Sequence, residues 1–264
     1  MSEYDPANIK IRPASSAIIL RDGADGIEVF MVVRHHQIDF ASGAMVFPGG
    51  SVDPQDSHLV TEIPISSAGN APTCSFWFAG IRETFEEAGL VLARQKGQPR
   101  IIGASEASRL VKLHRSAVLD GSVTFADMLQ RENLEPVTDL MVHFAHWITP
   151  VGPPRRFDTH FFLIAAPVEQ VGIHDGMEAV EGVWVPPAQA IQDADDGRRV
   201  MLPPTRLNLL KLTRDRTVQE AVTRAQASKV VTVLPRVVKD DSGRKLLLPI
   251  EAGYGMSEYR VPVR

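Results

Sequence analysis

The sequence predicts an α/β protein, and three observations support this prediction. An amphipathic helical pattern at 76–89 lies between two groups of strand-like segments. The chain has 264 residues, of which 44% are hydrophobic, so it can bury a substantial core. Segments rich in β-branched and aromatic residues occur at 14–20, 27–33, 141–150, 158–167 and 181–187.

The N-terminal part of the chain predicts a hairpin. The segments "ASSAIIL" (14–20) and "IEVFMVV" (27–33) are joined by "RDGADG", whose Asp and Gly residues favour a tight turn. We therefore expect the first two strands to be antiparallel neighbours. A short strand, "AMVFPGG" (44–50), and an acidic turn, "SVDPQDS" (51–57), follow them. The segment from about 57 to 74 is rich in Pro, Ser, Gly and Asn and predicts a loop.

The central helix is predicted from about Phe76 onward. Its apolar residues recur every three or four positions, which places them on one face that packs against a core, while the carboxylates point elsewhere. Gly89 is the expected terminator. The apolar face consists of Phe78, Ile81, Phe85 and Ala88.

The rest of the chain predicts a helical insert, a return to strands and an extension. Residues 105–133 favour two helices, with Ser105 and Thr124 as N-caps. Three segments of β-type composition follow, and the tail from Lys229 predicts two or three short strands. These features suggest one main domain at 12–215 and a C-terminal extension at 216–264. Further helices are expected at about 187–194, 204–213 and from Thr217, where Thr217 and Glu220 have the spacing of a capping box.

Composition limits the compartment and the partners. The net charge of −4 provides no basic surface for sequence-independent binding of nucleic acid. The single cysteine, Cys74, cannot form an intramolecular disulfide. The acidic N-terminus predicts an arm leading into a strand rather than a signal peptide, and no apolar run reaches the length of a membrane span. We expect a cytoplasmic protein that binds neither nucleic acid nor membranes.

The stretch "RETFEE" (82–87) is the main chemical signal in the sequence. On a helix, Glu83, Glu86 and Glu87 project from one face and repel one another. Arg82 can reach Glu86 one turn later, but one guanidinium does not neutralise three carboxylates. A hard divalent cation such as Mg²⁺ or Mn²⁺ would do so, because it prefers oxygen ligands. The alternative is a solvated helix face without chemistry.

The cluster and the residues around it resemble the sequence motif of the Nudix hydrolase family. The second half of the family motif reads Arg-Glu, an apolar residue, any residue, Glu-Glu, any residue, Gly and an apolar residue. The stretch from Arg82 to Leu90 matches it, except that Thr84 stands at the apolar position. Gly50 is the candidate for the opening glycine, but a long segment separates it from Arg82. Such an interrupted motif is similar to the branch that includes the mammalian type 19 proteins, some of which are coenzyme A diphosphatases.

The resemblance implies a fold, a metal and roles for several residues. The fold would be the Nudix α/β/α sandwich with a mixed sheet, a helical insert and a C-terminal extension. Mg²⁺ or Mn²⁺ would be held by the three glutamates and the Gly50 carbonyl, and Arg82 would orient the glutamates. Asp56 stands where the family has Glu, and either supports the site or is displaced by the loop. The general base would be Glu178, with Glu181 or a motif glutamate as alternatives.

The substrate implied by the resemblance is a small nucleotide. "GAMVFPGG" (43–50) matches part of the signature of coenzyme A members, but Asp39 stands where that signature has arginine. Coenzyme A and its acyl derivatives are therefore first candidates. ADP-ribose, dinucleotides and nucleoside triphosphates remain open, as does a non-catalytic nucleotide-binding module. A homodimer is also left open, because many relatives are dimers. Candidate phosphate-binding residues are Arg34, Arg155 and Arg156.

Two pairs of histidines, at 35–36 and at His143 and His146, invite a metal interpretation. Mg²⁺ and Mn²⁺ sites are dominated by oxygen, and no cysteine lies near these histidines in the sequence. We therefore expect them to be structural residues or to lie at the edge of the substrate site. Zinc is not expected here.

Overall fold

The computed structural model describes residues 9–34, 43–57, 73–172, 179–241 and 243–262. Its helices are α1 (Cys74–Ala88), α2 (Ala104–Leu119), α3 (Phe125–Arg131), α4 (Pro187–Asp195), α5 (Pro203–Leu212) and α6 (Val218–Ala227). Its first strands are β1 (Ile11–Gly23), β2 (Gly26–Arg34), β3 (Met45–Val46), β4 (Gly49–Ser51), β5 (Ala93–Gln95) and β6 (Leu134–Pro136). The later strands are β7 (Val142–Ile148), β8 (Arg156–Ala165), β9 (Ala179–Val185), β10 (Thr232–Val233), β11 (Arg236–Asp240), β12 (Gly243–Leu247) and β13 (Glu258–Arg260).

Eight of these strands form one mixed sheet. The order is β10-β7-β8-β1-β2-β3, with β4 also paired to β1 and β9 to β2. β1 runs parallel to β8, and β10 parallel to β7, while β1 and β2 form the expected antiparallel hairpin. β1 lies centrally and is buried from Ala14 to Leu20 except at the half-buried Ser16, which explains the apolar run in this part of the strand. The predicted mixed sheet is confirmed.

Helices cover both faces of this sheet. Successive residues of a strand point to opposite faces, and the core divides accordingly. Ile18 and Leu20 belong to one apolar cluster, which includes residues of α5 and α6. Ala17 and Ile19 belong to a second cluster, which includes residues of α1, α2 and α3. The result is the three-layer α/β/α arrangement that the sequence predicted.

Helix α1 carries the predicted apolar face into the second cluster. It begins at Cys74, two residues before the expected start, and ends at Gly89 in the left-handed conformation with φ 62°. Its four predicted apolar residues are all buried. Thr84, at the usual apolar position of the motif, is fully buried and its hydroxyl donates to the Gly80 carbonyl over 2.7 Å. The helix therefore accommodates this polar residue by an internal hydrogen bond.

Most of the predicted boundaries agree with the structure, with one correction. The N-cap of α2 is Gly103 rather than Ser105, because the helix begins at Ala104, two residues earlier than a cap at Ser105 implies. Thr124 caps α3 as expected, accepting from the Asp127 amide. The stretch 229–255, for which two or three strands were expected, contains β10, β11 and β12 within its described residues, and β13 follows it.

The remaining elements frame the main sheet. β5 pairs with β6, so that the helical insert lies between two strands of a small ribbon. β11, β12 and β13 form a separate three-stranded sheet at the C-terminal end. Within the described ranges, no helix has the length and apolar character needed to cross a membrane. The loop predicted at 57–74 lies mostly outside the described residues, which omit 58–72.

Candidate active site

The glutamates of α1 face β4. Ser15 of β1 pairs with Gly50 of β4, and the glycines of this strand lie against the helix. A Cβ atom added to Gly50 would lie 2.6 Å from the carboxyl group of Glu83, so a larger residue would displace this carboxylate. The Gly49 amide donates to the Glu87 carboxylate over 2.9 Å. All four residues predicted to hold a metal line one cavity, which is described below.

Arg82 connects the glutamates to the loop after β4. Its Nη1 donates to Glu83 over 2.9 Å and to Glu86 over 3.0 Å. Its Nη2 also donates to the Ser51 carbonyl over 2.9 Å. Burial opposes the charge of this guanidinium, but the hydrogen bond to Asp56 and the nearby glutamates outweigh it and raise the pKa of Arg82. Arg82 thus contacts two of the three glutamates and the backbone after β4 at the same time.

Asp56 takes the first of the two roles considered for it. Only 1% of the residue is exposed, and both carboxylate oxygens accept from Arg82, at 2.9 and 3.0 Å. Oδ2 also accepts from the Asp53 amide over 2.7 Å. The shorter acid therefore reaches the guanidinium despite the long segment that follows it. Asp56 supports Arg82 from the side opposite to the glutamates.

A cavity of about 520 Å³ opens beside the carboxylates. This volume lies within the range of small-molecule sites. Its wall includes Arg12, Arg34 and Arg155, so cationic and anionic groups line the same space. Arg34 Nη1 lies 3.9 Å from Glu87, while its buried Nε has no hydrogen-bond partner within the described residues. The cavity can receive an anionic group next to the carboxylate cluster.

Other predicted residues lie elsewhere. Arg156 is a correction: it is 6% exposed, its Nε donates to the Thr149 carbonyl over 3.0 Å, and it is outside the lining of the cavity. Glu181 accepts from Arg199 over 2.6 Å and is also outside the lining. Glu178 falls outside the described residues, as do the segment with Asp39 and the first histidine pair.

Two residues of β1 at this site were missed by the sequence analysis. Arg12 lines the cavity because β1 pairs in parallel with β8, which places it beside Phe157. Ser15 is fully buried, and its hydroxyl has no hydrogen-bond partner among the described residues. The only indication in the sequence was that these polar residues stand beside the apolar run of β1. Their importance depends on pairing between segments about 145 positions apart in the chain.

A second polar cluster lies on β7 and β8, outside the cavity. His143 and His146 join there with Asp158 and His160, two residues that the sequence analysis did not single out. Burial, with the neighbouring histidines, lowers the pKa of His143 to about 4 and that of His160 to about 2. Both rings are therefore neutral at pH 7.

Comparison with known proteins identifies the class. The chain matches the family model for the NUDT19 Nudix domain over residues 66–212, more than half of its length. The protein belongs to the Nudix hydrolase family. A crystal structure of a NUDIX hydrolase from Alicyclobacillus acidocaldarius superposes with a TM-score of 0.67, at 25% identity, covering 82% of this chain and 97% of that chain.

Three curated relatives are similar to this chain over most of its length. "Putative nudix hydrolase 7" of Caenorhabditis elegans is 27% identical over 70% of this chain and 55% of its own length. "Acyl-coenzyme A diphosphatase NUDT19" of Gallus gallus is 24% identical over 75% of this chain and 67% of its own. The Xenopus laevis protein of the same name is 23% identical over 67% of this chain and 57% of its own. The chain thus spans roughly half to two thirds of the relatives it matches.

Family membership implies a divalent metal ion, and the residues at this site fit one. Three carboxylates project from about one turn of α1, and the backbone of Gly50 in β4 lies against them, next to the cavity. The donors are oxygens, which a hard cation prefers over nitrogen or sulfur. A Cβ at Gly50 would fill the space beside Glu83, so the absence of a side chain there keeps the carboxylate accessible.

Proposed function

We propose that the protein hydrolyses a diphosphate bond in a nucleoside diphosphate linked to another group, with Mg²⁺ or Mn²⁺ as its cofactor. Coenzyme A and acyl-coenzyme A are the first substrates to consider. One observation carries this proposal: the cavity has the carboxylates of α1 on one wall and three arginines among its other lining residues. A diphosphate carries several negative charges around the bond that breaks. Arginines can bind these charges directly, and the carboxylates would hold the metal ion that neutralises them.

The anionic and cationic residues of the site have different proposed roles. Glu83, Glu86, Glu87 and the Gly50 carbonyl would hold the metal. When bound, the metal neutralises the diphosphate and lowers the pKa of the attacking water. Arg82 keeps the glutamates in place through its hydrogen bonds, and a fixed geometry matters because small displacements of reacting groups cost large factors in rate.

The arginines of the cavity would hold the non-reacting oxygens of the substrate. Arg34 lies closest to the carboxylates, through its contact with Glu87, and Arg12 and Arg155 line other parts of the wall. Guanidinium groups suit this role because they offer several donors in a planar array. The proton of the attacking water would pass to Glu178 or to one of the glutamates of α1.

The choice of coenzyme A depends on sequence and relatives. "GAMVFPGG" (43–50) carries part of the coenzyme A signature, and two curated relatives are named acyl-coenzyme A diphosphatases. Asp39 departs from that signature and favours a second candidate, a hydrolase of ADP-ribose, a dinucleotide or a nucleoside triphosphate. Three crowded carboxylates argue against a module that only binds nucleotide, since binding alone does not need them.

A substrate panel with matched variants tests the proposal. Hydrolysis of coenzyme A, acetyl-coenzyme A, ADP-ribose, NADH, diadenosine tetraphosphate and dGTP is measured with Mg²⁺ or Mn²⁺. Glu86→Gln keeps the shape of the side chain but removes its charge, and should lower kcat by about 100-fold or more. Glu106→Gln, on an exposed part of α2, is the matched control and should retain activity.

The outcomes separate the alternatives. Release of 3′,5′-ADP and a phosphopantetheine from coenzyme A supports the first substrate class. Preference for another diphosphate supports the second candidate. If wild type and Glu86→Gln are equally inactive on every compound while nucleotide still binds, the catalytic proposal is wrong.

A further inference from the structure

The polar cluster on β7 and β8 has the composition of a second metal site. His146 and His160 are paired across the two strands, and their rings stack with centroids 3.9 Å apart and planes 11° apart. His146 Nε2 lies 2.5 Å, and His160 Nε2 4.0 Å, from the same oxygen, Asp158 Oδ1. Both histidines are at most 8% exposed. Two imidazoles therefore direct one nitrogen each toward a single carboxylate.

The other nitrogen of each ring has its own partner. His146 Nδ1 lies 2.8 Å from Thr232 Oγ1, and His160 Nδ1 lies 2.9 Å from His143 Nε2. Such contacts behind the ligand nitrogens fix the orientation of metal-binding imidazoles in proteins. Here they come from β10 and β7, so the arrangement ties three strands of the sheet together.

The tautomer of His160 favours an acceptor at Nε2. If Nδ1 donates to His143, then the neutral ring keeps a lone pair on Nε2. The opposite tautomer would put a buried N–H on Nε2, whose nearest carboxylate oxygen, on Asp158, is 4.0 Å away and beyond hydrogen-bond distance. A buried donor without an acceptor is costly. His160 is thus best satisfied with an available lone pair.

We propose that His146, Asp158 and His160 bind a Zn²⁺ ion, distinct from the divalent ion of the α1 glutamates. Zinc accepts imidazole and carboxylate ligands in tetrahedral geometry at about 2.0–2.2 Å, which places ligand atoms about 3.3 Å apart. The observed separations from Asp158 Oδ1 are 2.5 and 4.0 Å, so the stacked rings must turn apart by side-chain rotation before both nitrogens face one ion, and a water molecule completes the four ligands. Binding uses the His146 tautomer whose proton is on Nδ1, so that Nε2 has a free lone pair for the ion and Nδ1 donates to Thr232.

The surroundings assign the site a structural role. Along the sheet, His160 pairs with Ser15, and Ser15 pairs with Gly50 of β4. Two strand spacings, about 10 Å, therefore separate His160 from Gly50. The ion would fasten β7 to β8 beside the candidate active site without lining its cavity. This inference differs from the expectation that His143 and His146 are not part of a zinc site: His143 would orient a ligand and His146 would be one.

Direct metal binding tests the site without reference to hydrolysis. The full chain, freed of metal with a chelator, is titrated with ZnCl₂ by calorimetry, and Co²⁺ absorption provides a second readout. One Zn²⁺ should bind with a Kd below about 1 μM, because structural zinc sites usually bind more tightly than that. His146→Gln and Asp158→Asn should abolish this binding, and His143→Gln should weaken it about 10- to 100-fold.

Two controls make the result specific. His114→Gln alters a histidine that contacts Glu132 in the helical insert and should leave zinc binding unchanged. Glu86→Gln should also retain it. Circular dichroism checks the fold, and Asp158→Asn, at a partly exposed side chain, keeps the test valid if His146→Gln does not fold. The proposal is overturned if wild type binds no Zn²⁺ in this range, or if binding is lost in Glu86→Gln but kept in Asp158→Asn.

Discussion

Arg82 is a buried cation that contacts several carboxylates of the candidate active site. It is 6% exposed and donates to the carboxylates of Asp56, Glu83 and Glu86 and to a backbone carbonyl. A buried ion pair adds little net stability, but the removal of one partner leaves the other charge buried and uncompensated. The loss of Arg82 would affect Asp56 most, since the Asp56 side chain is fully buried against the guanidinium.

Replacement of Arg82 by leucine should therefore destabilise the protein as well as inactivate it. We expect a loss of about 3–5 kcal/mol in the free energy of unfolding, because the Asp56 carboxylate would be buried without its partner. Urea unfolding followed by circular dichroism measures this loss. Arg109→Leu is the control, since Arg109 forms an ion pair with Glu106 at the surface of the insert and should change the midpoint far less. Equal stability of the two variants would contradict the proposed role of Arg82.

At the scale of elements, the contact between α1 and β4 determines the site. β4 has little room for side chains at its two glycines: a Cβ on Gly49 would lie 2.3 Å from the Ser15 carbonyl oxygen, and one on Gly50 would reach Glu83. The glycines allow the strand to approach the helix, so that the Gly49 amide can bind Glu87. The two elements act as one unit in holding the carboxylates.

Gly50→Ala tests this contact. The added methyl group would displace the Glu83 carboxylate, and a shift of about 1 Å in a catalytic group can lower turnover about 100-fold. We expect this loss in kcat on the best substrate of the panel, with little change in the circular dichroism spectrum. Gly103→Ala is the matched control, because a Cβ there meets no atom within 4 Å. Full activity of Gly50→Ala would show that Glu83 does not need its present position.

The sequence predicted local features well and long-range features poorly. The apolar face of α1, the cap at Gly89 and the cluster around Arg82 depend on residues within a few turns of one another, which a sequence pattern records. Arg12 acquires its neighbours only through the parallel pairing of β1 with β8, and His160 through the antiparallel pairing of β7 with β8. No local pattern specifies either register. Arg156 was misjudged for the same reason, since alternation along β8 directs it away from the cavity.

At the scale of the whole molecule, the C-terminal extension belongs to the main core. The division at 215–216 remains a prediction from sequence, but Leu246, Leu248 and Tyr254 lie in the same apolar cluster as Leu207 of α5. Burial raises the pKa of the Tyr254 hydroxyl, which stays protonated near neutral pH. The extension thus covers the face of the sheet opposite to α1.

One buried hydrogen-bond chain connects the extension to both neighbouring layers. The Tyr254 hydroxyl accepts from Trp147 Nε1 of β7 over 2.7 Å and donates to Asn208 Oδ1 of α5 over 2.9 Å. Tyr254→Phe would leave both partners buried without this hydroxyl. Because an unsatisfied buried polar group costs about 1–3 kcal/mol, we expect a loss of that size in the free energy of unfolding.

Tyr259→Phe is the matched control for this experiment. Tyr259 also packs against the same core, yet its hydroxyl forms no hydrogen bond within the described part of the chain, so its removal should cost far less. Thermal and urea unfolding of both variants, followed by tryptophan fluorescence and by circular dichroism, gives the comparison. If the extension and the main domain form one cooperative unit, the two probes will report the same lowered midpoint for Tyr254→Phe. Separate transitions for the two probes would show instead that the extension unfolds independently of the sheet it covers.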